Sequence, residues 1–269
     1  INNNGTNCGS LLAAANVCGT SFCGTSNYTA VITQQSEVDA LAGCTSFLGS
    51  LRIEGSNINN LDSLVNLTTI EDDLIIQYIP ANGNDLPALN LTQVQGKIEI
   101  LSSSFDNILF PSLTTIDDDL KIERTKLDSL NFESLTSVQQ ILFGPYNGYN
   151  SNDGNGSYFA LNTFNSLVSM GNLKIEQNHG GPWSANNSGL YHIGGFSNLQ
   201  ICGLLEVDDN SLLTSCCKLL DLSQAASSVT INNNGTNCGS LLAAANVCGT
   251  SFCGTSNYTA VITQQSEVD

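Results

Sequence analysis

Positive charge is scarce in this sequence. Its 269 residues contain seven Lys and Arg against 24 Asp and Glu, which gives a formal net charge of −17. Nucleic acids and anionic membranes attract proteins through cationic surface that displaces counterions or meets a negative potential. The composition therefore excludes a nucleic acid and an anionic membrane surface as partners.

Long apolar runs are also missing. No segment approaches the roughly 20 apolar residues that a membrane helix needs. The apolar stretch at 11–17 is too short even for the core of a signal peptide. We therefore expect no membrane insertion within these residues, and any signal or anchor would lie outside them.

Residues suited to catalysis or metal binding are few. The two histidines, His179 and His192, lie far from the cysteines in sequence, and the cysteine spacings match no zinc template. The sequence contains no Gly-x-Ser-x-Gly elbow, phosphate-binding loop or metal-spaced histidine pair. We expect no enzymatic activity, no cofactor and no metal site.

What the sequence does have is an exact repeat. Residues 231–269 copy residues 1–39 without a substitution, so the sequence repeats after 230 residues. Identity of this kind indicates an array of repeated units. Two readings stay open: the chain is an excerpt of a longer tandem array, or the first 39 residues of a neighbouring subunit are joined to the end of a 230-residue subunit.

The ten cysteines lie near the ends of the 230-residue unit and in its partial copy, and the middle of the unit contains none. This usage favours disulfides and an extracellular or cell-surface location. Nine of the ten are candidates for disulfides: Cys8, Cys18, Cys23, Cys44, Cys216, Cys217, Cys238, Cys248 and Cys253.

N-glycosylation sequons support the same location only together with the cysteines, because about five are expected in one unit by chance. The sequence predicts glycans at eight asparagines: Asn4, Asn27, Asn66, Asn90, Asn155, Asn186, Asn234 and Asn257.

A second, shorter repeat fills the middle of the unit. Segments such as 64–76 and 110–122 have a Leu, an apolar residue three positions later, and then a short Leu-x-Ile strand. The strands begin at seven positions: Leu51, Leu74, Ile98, Leu120, Ile141, Leu173 and Leu205. Most steps are 21–24 residues, too short for a strand–helix–strand crossover but right for one solenoid coil.

Alternation within each strand turns its two apolar residues inward and the residue between them outward. The sequence therefore predicts a mainly β fold, a parallel β-solenoid with disulfide-rich end caps. The predicted parts are an N-terminal cap at 1–43, seven coils at 44–218 with inserts at 144–163 and 176–195, and a junction with the next unit at 219–269. An apolar residue precedes the strand in every coil, such as Ile70 before Leu74 and Met170 before Leu173. It lies four positions before the start of the strand in the first four coils and three positions before it in the last three.

The pattern Leu-Thr-x-Ile-x-x-x-Leu-x-Ile, at 67–76 and 113–122, resembles the leucine-rich repeats of receptor L domains. These occur in insulin- and epidermal-growth-factor-type receptors and in related fungal cell-wall surface proteins. The resemblance covers about Cys44 to Val207. It implies an extracellular, right-handed β-helix with cysteine-rich ends.

Acidic groups on the coils are interpreted as ordinary surface. Outward strand positions form a charge ladder in which Glu99 and Lys121 should be neighbours. The acidic triplets 71–73 and 117–119 lie two coils apart with Lys97 between them, so turn acidity explains them better than catalysis or calcium binding.

The inserts gather most of the chemistry that the coils lack. They follow adjacent coils and should lie side by side, and Asn/Gly-rich loops bearing aromatic residues suit a contact surface. The predicted contact residues are Tyr146, Tyr149, Tyr158, Trp183 and Tyr191.

The seven cysteines of one unit cannot all pair within that unit. Cys202 stands in an apolar core position and is predicted to be the free thiol. Cys23 and Cys44 would close the first cap. Cys216 and Cys217 would then reach Cys238 and Cys248 of the next copy, because adjacent cysteines rarely bond each other.

Two functions remain from different classes. The first is a structural subunit of an extracellular, N-glycosylated filament or surface coat, whose partners are identical units joined head to tail. The alternative is an adhesin or receptor-type ectodomain that holds glycan or another surface protein through the insert face.

Overall fold

The chain is a mainly β, parallel β-solenoid of about seven turns, which confirms the predicted fold class. The computed structural model describes residues 22–80, 86–87, 89–105, 107–125, 127, 129–144, 158–161, 163–176 and 189–249. The chain divides into two compact units, Ile1–Gln139 and Gln140–Asp269.

The N-terminal unit is built almost entirely of short parallel strands. Its elements in chain order are β1 (Phe22–Ile32), α1 (Gln35–Asp39), β2 (Ser46–Glu54), a 3-10 turn (Asp62–Leu64), β3 (Thr69–Ile70), β4 (Leu74–Gln77), β5 (Gln93–Val94), β6 (Ile98–Leu101), β7 (Asn107–Leu109), β8 (Thr115–Ile116), β9 (Asp119–Glu123) and β10 (Ser129–Asn131). β11 (Ser137–Phe143) contains the boundary between the units.

The predicted inward columns of this unit are confirmed. β2, β4, β6 and β9 pair in the register Leu51, Leu74, Ile98, Leu120, and all four side chains are buried. The second column, Ile53, Ile76, Ile100 and Ile122, is buried in the same register. β9 is a strand across Asp119 to Glu123, as the solenoid requires.

A threonine ladder lies directly after Leu67, Leu91 and Leu113 in successive coils of the N-terminal unit. The hydroxyl of Thr68 donates to the carbonyl of Thr45, and Thr92 and Thr114 each repeat this contact with the coil before. These bonds satisfy backbone carbonyls at the edge of the core and hold neighbouring coils in register.

Each strand ends in a sharp corner with left-handed backbone. Tyr78, Ser102 and Arg124 occupy this corner in successive coils, and Asp209 and Asn233 do so in the C-terminal unit. The residue after the corner turns inward where it is Ser103, Thr125 or Asn210. In each unit the corner thus buries polar side chains that must find hydrogen-bond partners in the interior.

The C-terminal unit has longer strands and two helices. Its elements after β11 are β12 (Tyr158–Leu161), β13 (Ser169–Glu176), β14 (Gly189–Ile193), β15 (Ile201–Asp208), α2 (Lys218–Ala225), β16 (Ala226–Asn232) and α3 (Leu241–Cys248). β13 and β15 pair in the predicted register of Leu173 with Leu205 and Ile175 with Val207. Leu199, at the motif position of Leu67 and Leu113, is only half-buried, whereas those two leucines are fully buried.

The change in column spacing has a structural cause. Leu74 lies four positions after Ile70, and the chain there forms two short strands, β3 and β4, with residues 71–73 between them. With three residues from Met170 to Leu173, β13 passes the bend unbroken. The backbones are then so close that a Cβ on Gly203 would lie 2.3 Å from the carbonyl oxygen of Gly171, so only glycine fits there.

The parallel sheet extends past the predicted solenoid boundaries at 44 and 218. β1 pairs with β2 in the register Ala30 to Leu51, although 1–43 was predicted to be a cap. β16 pairs with β15 in the register Val229 to Leu205, although 219–269 was predicted to be a junction. Both segments lack the Leu-x-Ile triplet, which is why the pattern did not include them.

Candidate functional site at the junction between repeat copies

The second copy of the 230-residue repeat begins inside strand β16. Ile231 and Asn232 repeat Ile1 and Asn2 in sequence, and they pair with Val207 and Asp208 of β15. Ile231 is buried. The first residues of the copy therefore complete the last β-strand of the unit before it.

Two disulfides join the first copy to the second. Cys216 bonds Cys238 and Cys217 bonds Cys248, and both partners in the second copy repeat Cys8 and Cys18. In the N-terminal unit Cys23 bonds Cys44. The sequence predicted the Cys23–Cys44 bridge and the two bridges to the second copy, and the structure adds which cysteine bonds which. The bridge from Cys217 reaches the C-terminal residue of α3.

A buried pair of asparagines supports the same junction. Asn210 is fully buried and its amide donates to the carbonyls of Ile175 and Asp208, each at 2.9 Å. It also donates to Oδ1 of Asn234 at 2.9 Å, and Asn234 donates in turn to the carbonyl of Val207 at 2.8 Å. A buried amide costs little only when its hydrogen bonds are made, so each asparagine depends on the other.

The two helices of the C-terminal unit pack against each other. α3 begins at the N-cap Ser240, whose hydroxyl accepts from the backbone N–H of Ala243 at 3.1 Å. It ends at Gly249, which adopts the left-handed conformation typical of a helix C-cap. Leu241, Ala244 and Ala245 supply its buried face. α3 comes entirely from the second copy and α2 from the first, so this contact also joins the copies.

Cys202 is the free thiol among the described residues, as predicted. It stands in the core register between Met170 and Ala226, and its thiol donates to the carbonyl of Leu204. Burial raises the pKa of the Cys202 thiol to about 11. The group is therefore held neutral and unreactive at ordinary pH.

The predicted glycosylation sites fall into three groups. Asn27, Asn66 and Asn90 are exposed. Asn4, Asn155, Asn186 and Asn257 lie outside the described residues. Asn234 is committed to the internal bonds with Asn210 and Val207, and that arrangement argues against a glycan at this position.

The predicted contact surface is described only in part. Tyr146, Tyr149 and Trp183 lie outside the described residues. Tyr158 and Tyr191 belong to β12 and β14, which pair in parallel, so the ends of the two inserts do lie side by side. The ring of Tyr191 is 41% exposed beside His192, whose Nδ1 is 2.6 Å from the hydroxyl of Ser215.

The outward face carries the expected charge ladder. Glu99 and Lys121 face each other in the β6–β9 register. Lys174 contacts Glu206 on the next strand at 2.8 Å, and this hydrogen bond raises the pKa of Lys174.

The acidic triplet 71–73, in turn, accepts hydrogen bonds from neighbouring backbone. Glu71 accepts from the N–H of Gly49, and Asp73 accepts from the N–H of Lys97.

Within the described parts of the chain, no group of three His, Cys, Asp or Glu residues is placed to hold a metal. No helix there is long and apolar enough to cross a membrane. No family model matches the chain, and neither a curated protein nor a solved structure matches it.

Proposed function

We propose that the protein is the structural unit of an extracellular filament or surface coat, assembled head to tail from identical units. The observation that carries this proposal is that residues 231–249, which repeat 1–19, pack onto the unit before them. They add two strand residues, one helix and two disulfide partners.

Identity of the units makes the same contact available at every junction. Residues 1–19 of each unit carry the side chains that residues 231–249 use, including Cys8 and Cys18. Each unit would therefore be bridged to the one before it, and six of its seven cysteines would be used. A head-to-tail contact that does not close into a ring builds an open filament.

Disulfides and surface asparagines support an extracellular, glycosylated protein. Three disulfides suit an oxidising compartment. Among the described sequons, Asn27, Asn66 and Asn90 are exposed, and the amides of Asn66 and Asn90 also donate to the carbonyls of Ala42 and Val65. The Leu-Thr-x-Ile pattern supports the L-domain-like leucine-rich class, whose members need no catalytic site.

Electron microscopy of the native material, without reductant, tests the proposal. We expect fibres or sheets with a repeat of one 230-residue unit. Replacing both Cys216 and Cys217 by Ser should weaken or shorten these assemblies. Each bridge stabilises the folded junction by about 2–4 kcal/mol, because it reduces the entropy of the unfolded junction. C202S is the matched control and should leave assembly unchanged. Dispersed monomers in native material would contradict the proposal.

A binding function is the second candidate, and the exposed ring of Tyr191 favours it. Tyr191 lies where the two insert strands meet, on a face that glycan or a surface protein could contact. Glycan-array binding that is lost in Y191A, by protein that stays monomeric, would favour this function. Y78A is the control, because Tyr78 is also exposed but lies in the N-terminal unit.

A further inference from the structure

The first and last strands of the main sheet, among the described residues, carry no charge. β16 reads Ala-Ser-Ser-Val-Thr-Ile-Asn and β1 reads Phe-Cys-Gly-Thr-Ser-Asn-Tyr-Thr-Ala-Val-Ile, with no Lys, Arg, Asp, Glu or Pro in either. Strands with two partners include uncharged ones, such as β4, which reads Leu-Ile-Ile-Gln, and β11, which reads Ser-Val-Gln-Gln-Ile-Leu-Phe. Edge strands that stay free are usually protected by charge or proline. These two edges are therefore composed like strands that have a neighbour.

Among the described strands, each edge has a partner on one side only. β16 pairs with β15, and β1 pairs with β2. Of the four inward side chains at these edges, Ile32 and Ile231 are buried, and the other two are less well covered. Val229 is 9% exposed and Ala30 is half-buried, whereas Leu51 and Leu205 are fully buried. One more strand on each edge would complete the burial.

The junction helix lacks charge as well. α3 reads Leu-Leu-Ala-Ala-Ala-Asn-Val-Cys and contains no charged residue. Its Val247 is 56% exposed, although Leu241, Ala244 and Ala245 on the same helix are buried. A single exposed valine is ordinary on a protein surface, so this helix adds only its lack of charge to the argument.

The inward residues of the two edges fix how they would meet. Ala30 and Ile32 align with the inward Leu51 and Ile53, and Val229 and Ile231 align with the inward Leu205 and Val207. Parallel coils stack inward residues on inward residues. Ala30 would therefore stand beside Val229, and Ile32 beside Ile231.

The sequence provides this strand at a suitable distance. Residues 252–262 repeat β1 exactly, and Ile262 follows Ile231 by 31 positions. Coils within the chain already differ by 32 positions, as between Leu173 and Leu205. The link through α3 therefore has the length of one coil.

We propose that the outer edge of β16 is the binding site for β1 of the following 230-residue copy, in the register Val229 to Ala30 and Ile231 to Ile32. The sheet then continues without a break from one unit to the next. This inference rests on the proposed function and adds to it the contacting strands and their register.

A cysteine pair tests the register in an array of complete copies. T230C and V31C are outward neighbours in this register, with Cα atoms about 4.8 Å apart, which a disulfide spans. N232C with V31C is the matched control, shifted by two residues to about 8 Å and out of reach. Peptide mapping after mild oxidation should find the T230C–V31C bridge and no N232C–V31C bridge.

Hydrogen exchange on the unmodified array gives a second measurement that needs no variant. Peptides covering 226–232 should exchange as slowly as those covering 201–208, since both strands would have two partners. Fast exchange at 226–232, or bridges at N232C instead of T230C, would overturn the register even if filaments form. A T230C–V31C bridge in a folded variant array that forms no filament would support the inference and contradict the proposed function.

Discussion

Replacing Leu120 by Ala probes the stacking that holds the solenoid together. Leu120 is fully buried on β9 and pairs in register with Ile98. The substitution removes three carbons, and at about 0.8 kcal/mol for each buried carbon the lost transfer free energy is about 2.4 kcal/mol. The cavity left behind adds to this, so the free energy of unfolding should fall by about 2–5 kcal/mol.

Urea denaturation of the oxidised protein measures this loss, with K121A as the matched control. Lys121 is the next residue on the same strand and faces outward, where its ion pair with Glu123 contributes at most about 1 kcal/mol. L120A should therefore unfold at clearly lower urea than K121A. Equal midpoints for the two variants would refute the inward column as the source of stability.

Two further predictions concern the C-terminal unit. N210A leaves buried carbonyls and Asn234 without their hydrogen-bond donor, so it should lower the free energy of unfolding by about 1–3 kcal/mol. The control is N66A, at an exposed asparagine, which should change the free energy of unfolding by far less in the same urea experiment. Cys202 should resist alkylation in the folded protein, because its pKa of about 11 lies above the ordinary value of 9.0. The folded state holds the Cys202 proton more tightly than the unfolded state does. The contribution of this proton to the free energy of unfolding is therefore complete below pH 9 and is lost as the pH rises towards 11. A C202A variant should lack this alkaline loss, and a loss of equal size in C202A would contradict the assignment.

The regular columns could be predicted because strand geometry is strict. A residue two positions from an inward residue must also face inward, so Leu120 and Ile122 were fixed by alternation alone. The cysteine pairs followed from parity and from the rarity of bonds between adjacent cysteines.

Other features carried no recognisable signal. β1 and β16 have Ala30 and Val229 where the coils have Leu or Ile. Their segments were therefore predicted to be a cap and a junction. Asn210 and Asn234 are turn and sequon residues by composition, and only the left-handed corner before each one turns them inward. Gly203 is explained by its approach to Gly171, a distance that no sequence pattern states.

Cryo-electron microscopy of the native material, kept oxidised, tests the central claim most directly. The account predicts a filament or sheet in which strands stack about 4.8 Å apart along the direction of assembly. It also predicts the Cys216–Cys238 and Cys217–Cys248 bridges at every junction between identical units. Monomers without repeated contacts, or an assembly joined through other surfaces, would contradict it.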